Sequence, residues 1–319
     1  MAAFQAPSLR DIRSAAARLA PHARVTPVLR SPELDALAGA ELHFKCEHLQ
    51  VGGAFKFRGA CNAVWALTDE EAQRGVVTHS SGNHGAALAL AARTRRIPAH
   101  IVVPEGAVAA KLANIERAGG ILHRCAPTQA AREEACATVQ RETGATLVHP
   151  YADARVIAGQ GTIVLELLQQ VPDLDALIVP IGGGGLASGC AIALAALSPK
   201  ARLVGAEPAG ADDAFQSLQR GERVTVVPHT VCDGLRATIG EPNFALLRAH
   251  RVEVISVDDD AVLAAMRLAW AELKQTIEPS SAVVLAALLA QRERFADQRV
   301  GLVLSGGNVD LDALPFIRG

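Results

Sequence analysis

Aromatic residues are scarce, 3% of the 319-residue chain, with two tryptophans and one tyrosine. That leaves no evident stacking platform for single-stranded nucleic acid. A formal net charge of -2 gives no electrostatic case for a polyanion or an anionic membrane. The six cysteines (Cys46, Cys61, Cys125, Cys136, Cys190, Cys232) include no C-x-x-C pair. This argues against a disulfide frame or a zinc site and for a reducing compartment, so a cytoplasmic location is expected. Long apolar runs are also missing: those near Leu186–Leu197 and Ala282–Ala290 are too short to span a bilayer. The stretch Met1–Arg10 has no apolar h-region, so no signal peptide is expected. With 50% hydrophobic and 20% charged residues, the chain reads as an ordinary globular protein with a core of Ala, Leu, Val and Ile. Its length allows two domains or one large one.

From Gly75 onward short apolar strands alternate with longer helices. The expected strands are Gly75–Thr78, Ala99–Val103, Ile121–Arg124, Thr146–Val148, Ala176–Ile181, Arg202–Ala206, Val252–Val257 and Val300–Leu304. The expected helices between them include Asn83–Arg95, Val108–Ala118, Gln129–Glu142, Gly159–Gln170, Leu186–Leu197, Asp259–Leu273 and Ser281–Phe295. Ser8 should cap an earlier helix stopped by Pro21, Thr26-Pro27 should open an extended segment, and Glu41–Lys45 should be a strand. Such alternation implies crossover units on a mostly parallel sheet, an α/β protein. Gly210–Asn243 is less regular.

Ligands of open α/β sheets collect at the carboxyl ends of strands. Three stretches there stand out. T-H-S-S-G-N-H-G (Thr78–Gly85) starts a helix whose N–H groups can hold a carboxylate or phosphate, with Ser80, Ser81, Asn83 and His84 as added donors. I-G-G-G-G-L (Ile181–Leu186) places four glycines between a buried strand and a helix, an arrangement that suits a phosphate dianion. Gly182-x-Gly184-x-x-Ala187, with Glu207 ending the next strand, also fits a dinucleotide fingerprint, so a nicotinamide (NAD) oxidoreductase stays open. S-G-G-N (Ser305–Asn308) follows the last strand; Ser305 could donate to a ring nitrogen or simply cap a helix.

Upstream lies K-C-E-H-L-Q-V-G-G-A-F-K-F-R-G-A (Lys45–Ala60). Lys56 sits between Phe55 and Phe57, where desolvation disfavours the ammonium. A neutral amine is a nucleophile that can form a Schiff base with an aldehyde cofactor. The bland alternative is a helix-starting lysine pointing into water.

These motifs, G-A-F-K-F-R-G-A, S-S-G-N-H-G, G-G-G-G-L and S-G-G-N, in this order, resemble the fold-type II pyridoxal phosphate enzymes, specifically the serine racemase and serine/threonine dehydratase branch. The likeness runs from Thr26 to Asp312 and includes V-I-A-G-Q-G-T, C-D-G and I-E-P-S. The resemblance implies two open, mostly parallel sheet domains with pyridoxal 5'-phosphate in the cleft between them. The small mobile domain would be 75–152, and the large cofactor-binding domain 1–74 plus 153–319. It implies that Lys56 carries the cofactor, Phe55 lines the ring, Asn83 meets the phenolic oxygen, and Ser305 faces the pyridine nitrogen. Gly182, Gly183, Gly184, Gly185 and Leu186 would cradle the phosphate, with Gly234 also at the cofactor. Ser80, Ser81, His84 and Arg132 would hold or face the substrate, and Ser81 could return a proton. A-E-P-A-G-A-D-D resembles a divalent-cation loop, implying Mg or Ca (Mn as a further option) on Glu207, the Ala211 carbonyl and Asp213. Helix capping would explain Asp212 or Asp213 without an ion, but not Glu207. A homodimer is the family habit.

A neutral Ser305 cannot stabilise a pyridinium as a carboxylate would. The implied reaction is therefore β-elimination, serine to pyruvate or threonine to 2-oxobutyrate with ammonia, and racemisation through Ser81 as an accompaniment. Ala54, Tyr151 and Ala237 depart from the usual racemase residues and argue against dedicated racemisation. 3-Hydroxyaspartate is the alternative substrate, with Arg132 as partner for its extra carboxylate. No C-terminal regulatory domain is expected.

Overall fold

The structure, a computed structural model, describes residues 4–310; the remaining ends, including Asp312, lie outside the described residues. Ten strands are β1 (Val28–Leu29), β2 (Glu41–Lys45), β3 (Val76–Thr78), β4 (Ala99–Pro104), β5 (Ile121–Cys125), β6 (Thr146–Leu147), β7 (Ala176–Pro180), β8 (Arg202–Pro208), β9 (Glu253–Val257) and β10 (Arg299–Val303). They form a six-stranded sheet ordered β1-β2-β10-β7-β8-β9 and a four-stranded sheet ordered β5-β4-β3-β6. Every pairing is parallel except β1 with β2. The expected α/β class and its two mostly parallel sheets are thus present.

Alternation of side chains explains why the large sheet is covered on both faces. Leu177, Val179 and Val303 pack against the helices Ala154–Gln170 and Gly185–Leu197. Ala176, Ile178 and Leu302 face the opposite way, against Asp259–Leu273 and Pro279–Ala290. The small sheet repeats the scheme: Val76, Ile101 and Val103 meet Lys56–Trp65 and Asn83–Arg95. Val77 and Val102 meet Cys136 and Val139 of the helix Gln129–Thr143.

Several expected boundaries shift for identifiable reasons. The helix expected from Gly159 begins at Ala154, where the Asp153 carboxylate accepts from Arg155 N. Gly159 lies inside that helix as a packing site: a Cβ there would stand 2.7 Å from Arg58 O. The helix expected as Ser281–Phe295 runs Pro279–Ala290, with Pro in its first turn, and Arg292–Phe295 is a separate 3-10 turn. The extended segment after Pro27 is interrupted by a helix, Pro32–Ala38, capped by Ser31 and ended by Gly39 at φ 66°. Ser305 caps no helix; the chain beyond β10 is irregular to the last described residue. Among the described residues, no helix is long and apolar enough to cross a membrane.

Candidate active site

Lys56 is the first residue of the helix Lys56–Trp65. Its Nζ donates to Pro150 O at 3.1 Å and lies 5.1 Å from the centre of the Phe55 ring. Burial pushes its pKa down to about 8. The helix start is fixed from behind by Arg58, itself 1% exposed. Arg58 Nε donates to Glu47 at 2.7 Å, and its remaining nitrogens reach Glu166 at 2.7 and 2.8 Å. Lys45 Nζ completes the group on Glu166 at 2.8 Å. Two cations therefore balance two anions, and Lys56 stays outside the network.

The loops after β6 and β10 reach the start of the Lys56–Trp65 helix, through Pro150 O on Lys56 and Ser305 O on Phe55 N, and the loops after β3 and β7 and the turn at Gly234 join them. The β3 loop supplies Ser80, Ser81 and Gly82, partly exposed, then Asn83 at the start of its helix. Asn83 Nδ2 donates to Glu278 Oε1 at 3.0 Å, and its Oδ1 accepts from Asn308 at 2.9 Å. Glu278 is 5% exposed; burial, then the charge of Asp233, push its pKa up to about 7.

β6 runs beside β3, so its end opens onto the same edge of the sheet. It carries His149, Pro150 and Tyr151; in the sequence Tyr151 stands out only as a departure from the racemase pattern, and no motif marks the other two. The His149 ring stands edge-on to His79 at 5.2 Å and to Tyr151 at 4.5 Å. Burial, then the neighbouring His79 and Lys56, push His149 down to about 4. His84 is held well below its usual range by burial and by Lys56. Its Nε2 lies 3.3 Å from Val148 O, while its Nδ1 is buried without a partner. The two histidines are thus neutral at physiological pH. The findable signal was a histidine just after each of two adjacent strands.

The glycine run follows β7. Ser188 N closes the first helical bond on Gly184 O at 2.9 Å. The N–H groups of Gly185, Leu186 and Ala187 therefore have no carbonyl within the helix and are free for an anion. A Cβ on Gly183 would stand 2.3 Å from the Tyr151 ring, and Gly184 has φ 88°. Gly234 faces this turn, with its carbonyl 3.3 Å from where a Gly182 Cβ would lie, and donates to Ser280 Oγ at 2.9 Å. Ser305 is 4% exposed, and its carbonyl accepts from Phe55 N at 2.9 Å, beside Lys56. A half-buried amine, an anion-ready turn and a neutral serine form a set that fits pyridoxal phosphate.

Arg132 stands apart: its Nε reaches Thr128 O at 3.4 Å. Its charge is nevertheless felt at His79, lowering that pKa after burial does.

The acidic loop corrects one expectation. Glu207 is the residue that caps the helix Asp213–Arg220, accepting from Ala214 N at 3.3 Å and Phe215 N at 2.8 Å. Asp212 makes no side-chain cap bond, and Asp213 accepts from Ile239 N at 2.7 Å. The reason is reach: a carboxylate at the end of β8 faces the next helix start directly. Burial and the charges of Asp213 and Asp212 push Glu207 well above the usual carboxylate range; burial first pushes Asp213 up to about 6. Ala211 is buried beside them. Among the described residues, no cluster of three or more His, Cys, Asp or Glu side chains is arranged to hold a metal. A cation here would rest on two carboxylates, a carbonyl and water, a set that suits a hard divalent ion.

Comparison with known proteins agrees with this geometry. The family model described as "Pyridoxal-phosphate dependent enzyme" matches residues 19–306. This chain belongs to that family, and pyridoxal phosphate is its cofactor. It is 48% identical over 315 residues to a serine racemase of Arabidopsis thaliana, covering 97% of this chain and 95% of the relative. It is 47% identical over 311 residues to the beta-hydroxyaspartate dehydratase of Paracoccus denitrificans, covering 97% and 99%. A crystal structure of a threonine deaminase from T.th. superposes with a TM-score of 0.90 at 42% identity, covering 96% of this chain and 99% of that one. The nicotinamide reading of the glycine run falls, because the family that matches is a pyridoxal phosphate family.

Proposed function

We propose that this enzyme removes the β-hydroxyl and amine of L-serine or L-threonine, giving a 2-oxo acid and ammonia, with serine racemisation as a side activity. The observation that carries the reading is the half-buried Lys56 amine, brought down to about 8 by desolvation and resting on a neutral carbonyl rather than a carboxylate. A lysine so placed is available as a neutral base.

Bound pyridoxal phosphate would supply the electron sink for the substrate α-carbon. Lys56 would hold the cofactor and then remove the α-proton. Gly182, Gly183, Gly184, Gly185 and Leu186 would receive the phosphate, with Gly234 closing the far side. Ser305 would offer its hydroxyl to the ring nitrogen without a charge, leaving expulsion of the β-hydroxyl as the easier outlet for electrons. Phe55 would line the ring, and Asn83, held by Glu278, would meet the phenolic oxygen. Ser80 and His84 would hold the substrate, the orphaned His84 Nδ1 serving as an acceptor. Ser81 would hand a proton to the α-carbon when racemisation occurs. Glu207, Ala211 and Asp213 would hold a divalent cation away from the chemistry.

A second reading, 3-hydroxyaspartate dehydration, is favoured by the Paracoccus relative and by the positive field of Arg132 at His79. Release of 2-oxo acid from L-serine, L-threonine and 3-hydroxyaspartate, measured with Lys56→Ala as control, separates the two. Greatest kcat/KM on 3-hydroxyaspartate, lost in Arg132→Ala, would replace the first reading by the second. We also infer that 75–152 is a small domain moving against 1–74 and 153–319, since β3–β6 form a sheet of their own. Lys111 and Asp233 bridge the two parts. A homodimer in the cytoplasm is the expected working form, checked by sedimentation and cell fractionation.

A further inference from the structure

Asn243 is fully buried in the third position of the helix Glu241–Ala249, with no charge and no obvious reason to be polar. Its Nδ2 donates to Gly183 O at 2.5 Å and to Tyr151 O at 3.0 Å. Its Oδ1 accepts from Ser188 Oγ at 3.1 Å. This satisfies the amide in one orientation only: turned over, its oxygen would face two carbonyls. Gly240 N donates to the same Gly183 oxygen at 3.1 Å.

We propose that Asn243 is a positioning residue for the anion cradle: by holding the Gly183 carbonyl, it turns the Gly184 N–H toward the cofactor phosphate. The physical basis is the trans peptide. C=O of residue 183 and N–H of residue 184 point in opposite directions within one rigid plane. Two donors that pull the carbonyl toward the Glu241–Ala249 helix push that N–H the other way. Gly184, at φ 88°, accepts the resulting turn, and the contact is close: a Cβ there would lie 2.7 Å from Asn243 Cβ. The second bond, to Tyr151 O, ties the turn to the segment whose Pro150 carbonyl receives Lys56. One amide thus sets the spacing between the two ends of the cofactor, its phosphate and its lysine link.

This rests on the cofactor reading of the glycine run, and the test separates the two. Dissociation constants of pyridoxal 5'-phosphate and of phosphate-free pyridoxal are measured on apoprotein of the wild type, Asn243→Ala, Asn243→Asp and Ser188→Ala, with melting temperature as the folding control. Asn243→Asp keeps size and an acceptor for Ser188 but sets oxygen against Gly183 O. The expected result is that both Asn243 variants lose about tenfold or more in affinity for the phosphate form, while pyridoxal binding changes by less than about twofold. Ser188→Ala should lower the melting temperature without changing the ratio of the two constants, because it leaves both donors in place. If Asn243→Ala does not fold, Asn243→Asp decides. A folded variant that keeps the wild-type ratio overturns the positioning role and leaves the cradle intact. A wild type that binds both forms equally overturns the cradle itself, and this proposal with it.

Discussion

Asn83 and Glu278, 195 residues apart in sequence, are joined at the base of the cleft by hydrogen bonds of 3.0 and 3.3 Å to the two carboxylate oxygens. Burial holds the Glu278 proton up to about pH 7, whereas the unfolded chain releases it near 4.5. Between those values the folded state binds the extra proton, so stability falls as pH rises through the window. Glu278→Gln removes the titration and keeps the shape. Its melting temperature should gain on the wild type from about pH 4.5 to about 7 and then run parallel to it, as read by thermal melts across that range. A constant offset at all pH values would assign the titration elsewhere.

The Lys56 amine makes a prediction of opposite sign. Only its neutral form attacks an aldehyde, and burial brings its pKa to about 8. The rate of cofactor uptake by apoprotein should therefore rise with pH through about 8 and then level, followed by visible absorbance. Lys56→Ala should show no stable visible band and no 2-oxo acid release. A rise still climbing near the ordinary lysine pKa of 10.5 would show an amine exposed to water.

Arg58→Ala should destabilise the protein and loosen the start of the helix that carries Lys56. It leaves Glu47, 0% exposed, with the Thr26 hydroxyl but no cation, and leaves Glu166 with Lys45 alone. Uncompensated buried charge of this kind costs about 3–5 kcal/mol. Urea unfolding measures it; a loss below about 1 kcal/mol would place the network in the range of surface pairs.

Ser81→Ala should keep more of the elimination activity than of the racemisation, since on the proposed mechanism only the second needs a proton returned from Ser81. Parallel assays of pyruvate and D-serine decide it, and equal losses would remove Ser81 from the reaction.

Glu207 and Asp213 hold protons that water-exposed carboxylates would have given up. A divalent cation would displace them. Magnesium or calcium should raise the melting temperature more at pH 7 than at pH 5, where Asp213, at about 6, is protonated. Asp213→Asn should abolish that response. Chelation that changes neither melting nor activity would leave the pair as helix-capping and loop-tying groups alone.

The strands and the helices between them were legible because apolar runs and turn residues alternate with little interruption. The glycine turn was legible because four glycines in a row have few other uses. Long-range polar pairing was not. Glu278 lay in a motif but had no partner until folding brought Asn83 and Asn308 to it. His79 and His149 acquire meaning only when β3 and β6 become neighbours, which sequence order conceals. Gly159 read as a helix start because its true reason, the backbone of Arg58 pressed against it, belongs to another helix. Glu207 misled for the same cause: a capping residue is ordinarily sought beside its helix, and this one arrives from the preceding strand.

Pro150 offers Lys56 a main-chain oxygen rather than a side chain. Such a berth survives any replacement that leaves the local backbone path unchanged. Side chains bordering the cleft can accordingly be exchanged for a different amino-acid guest while the nitrogen keeps its address, so redesign of selectivity here begins with the lining and leaves the anchor alone.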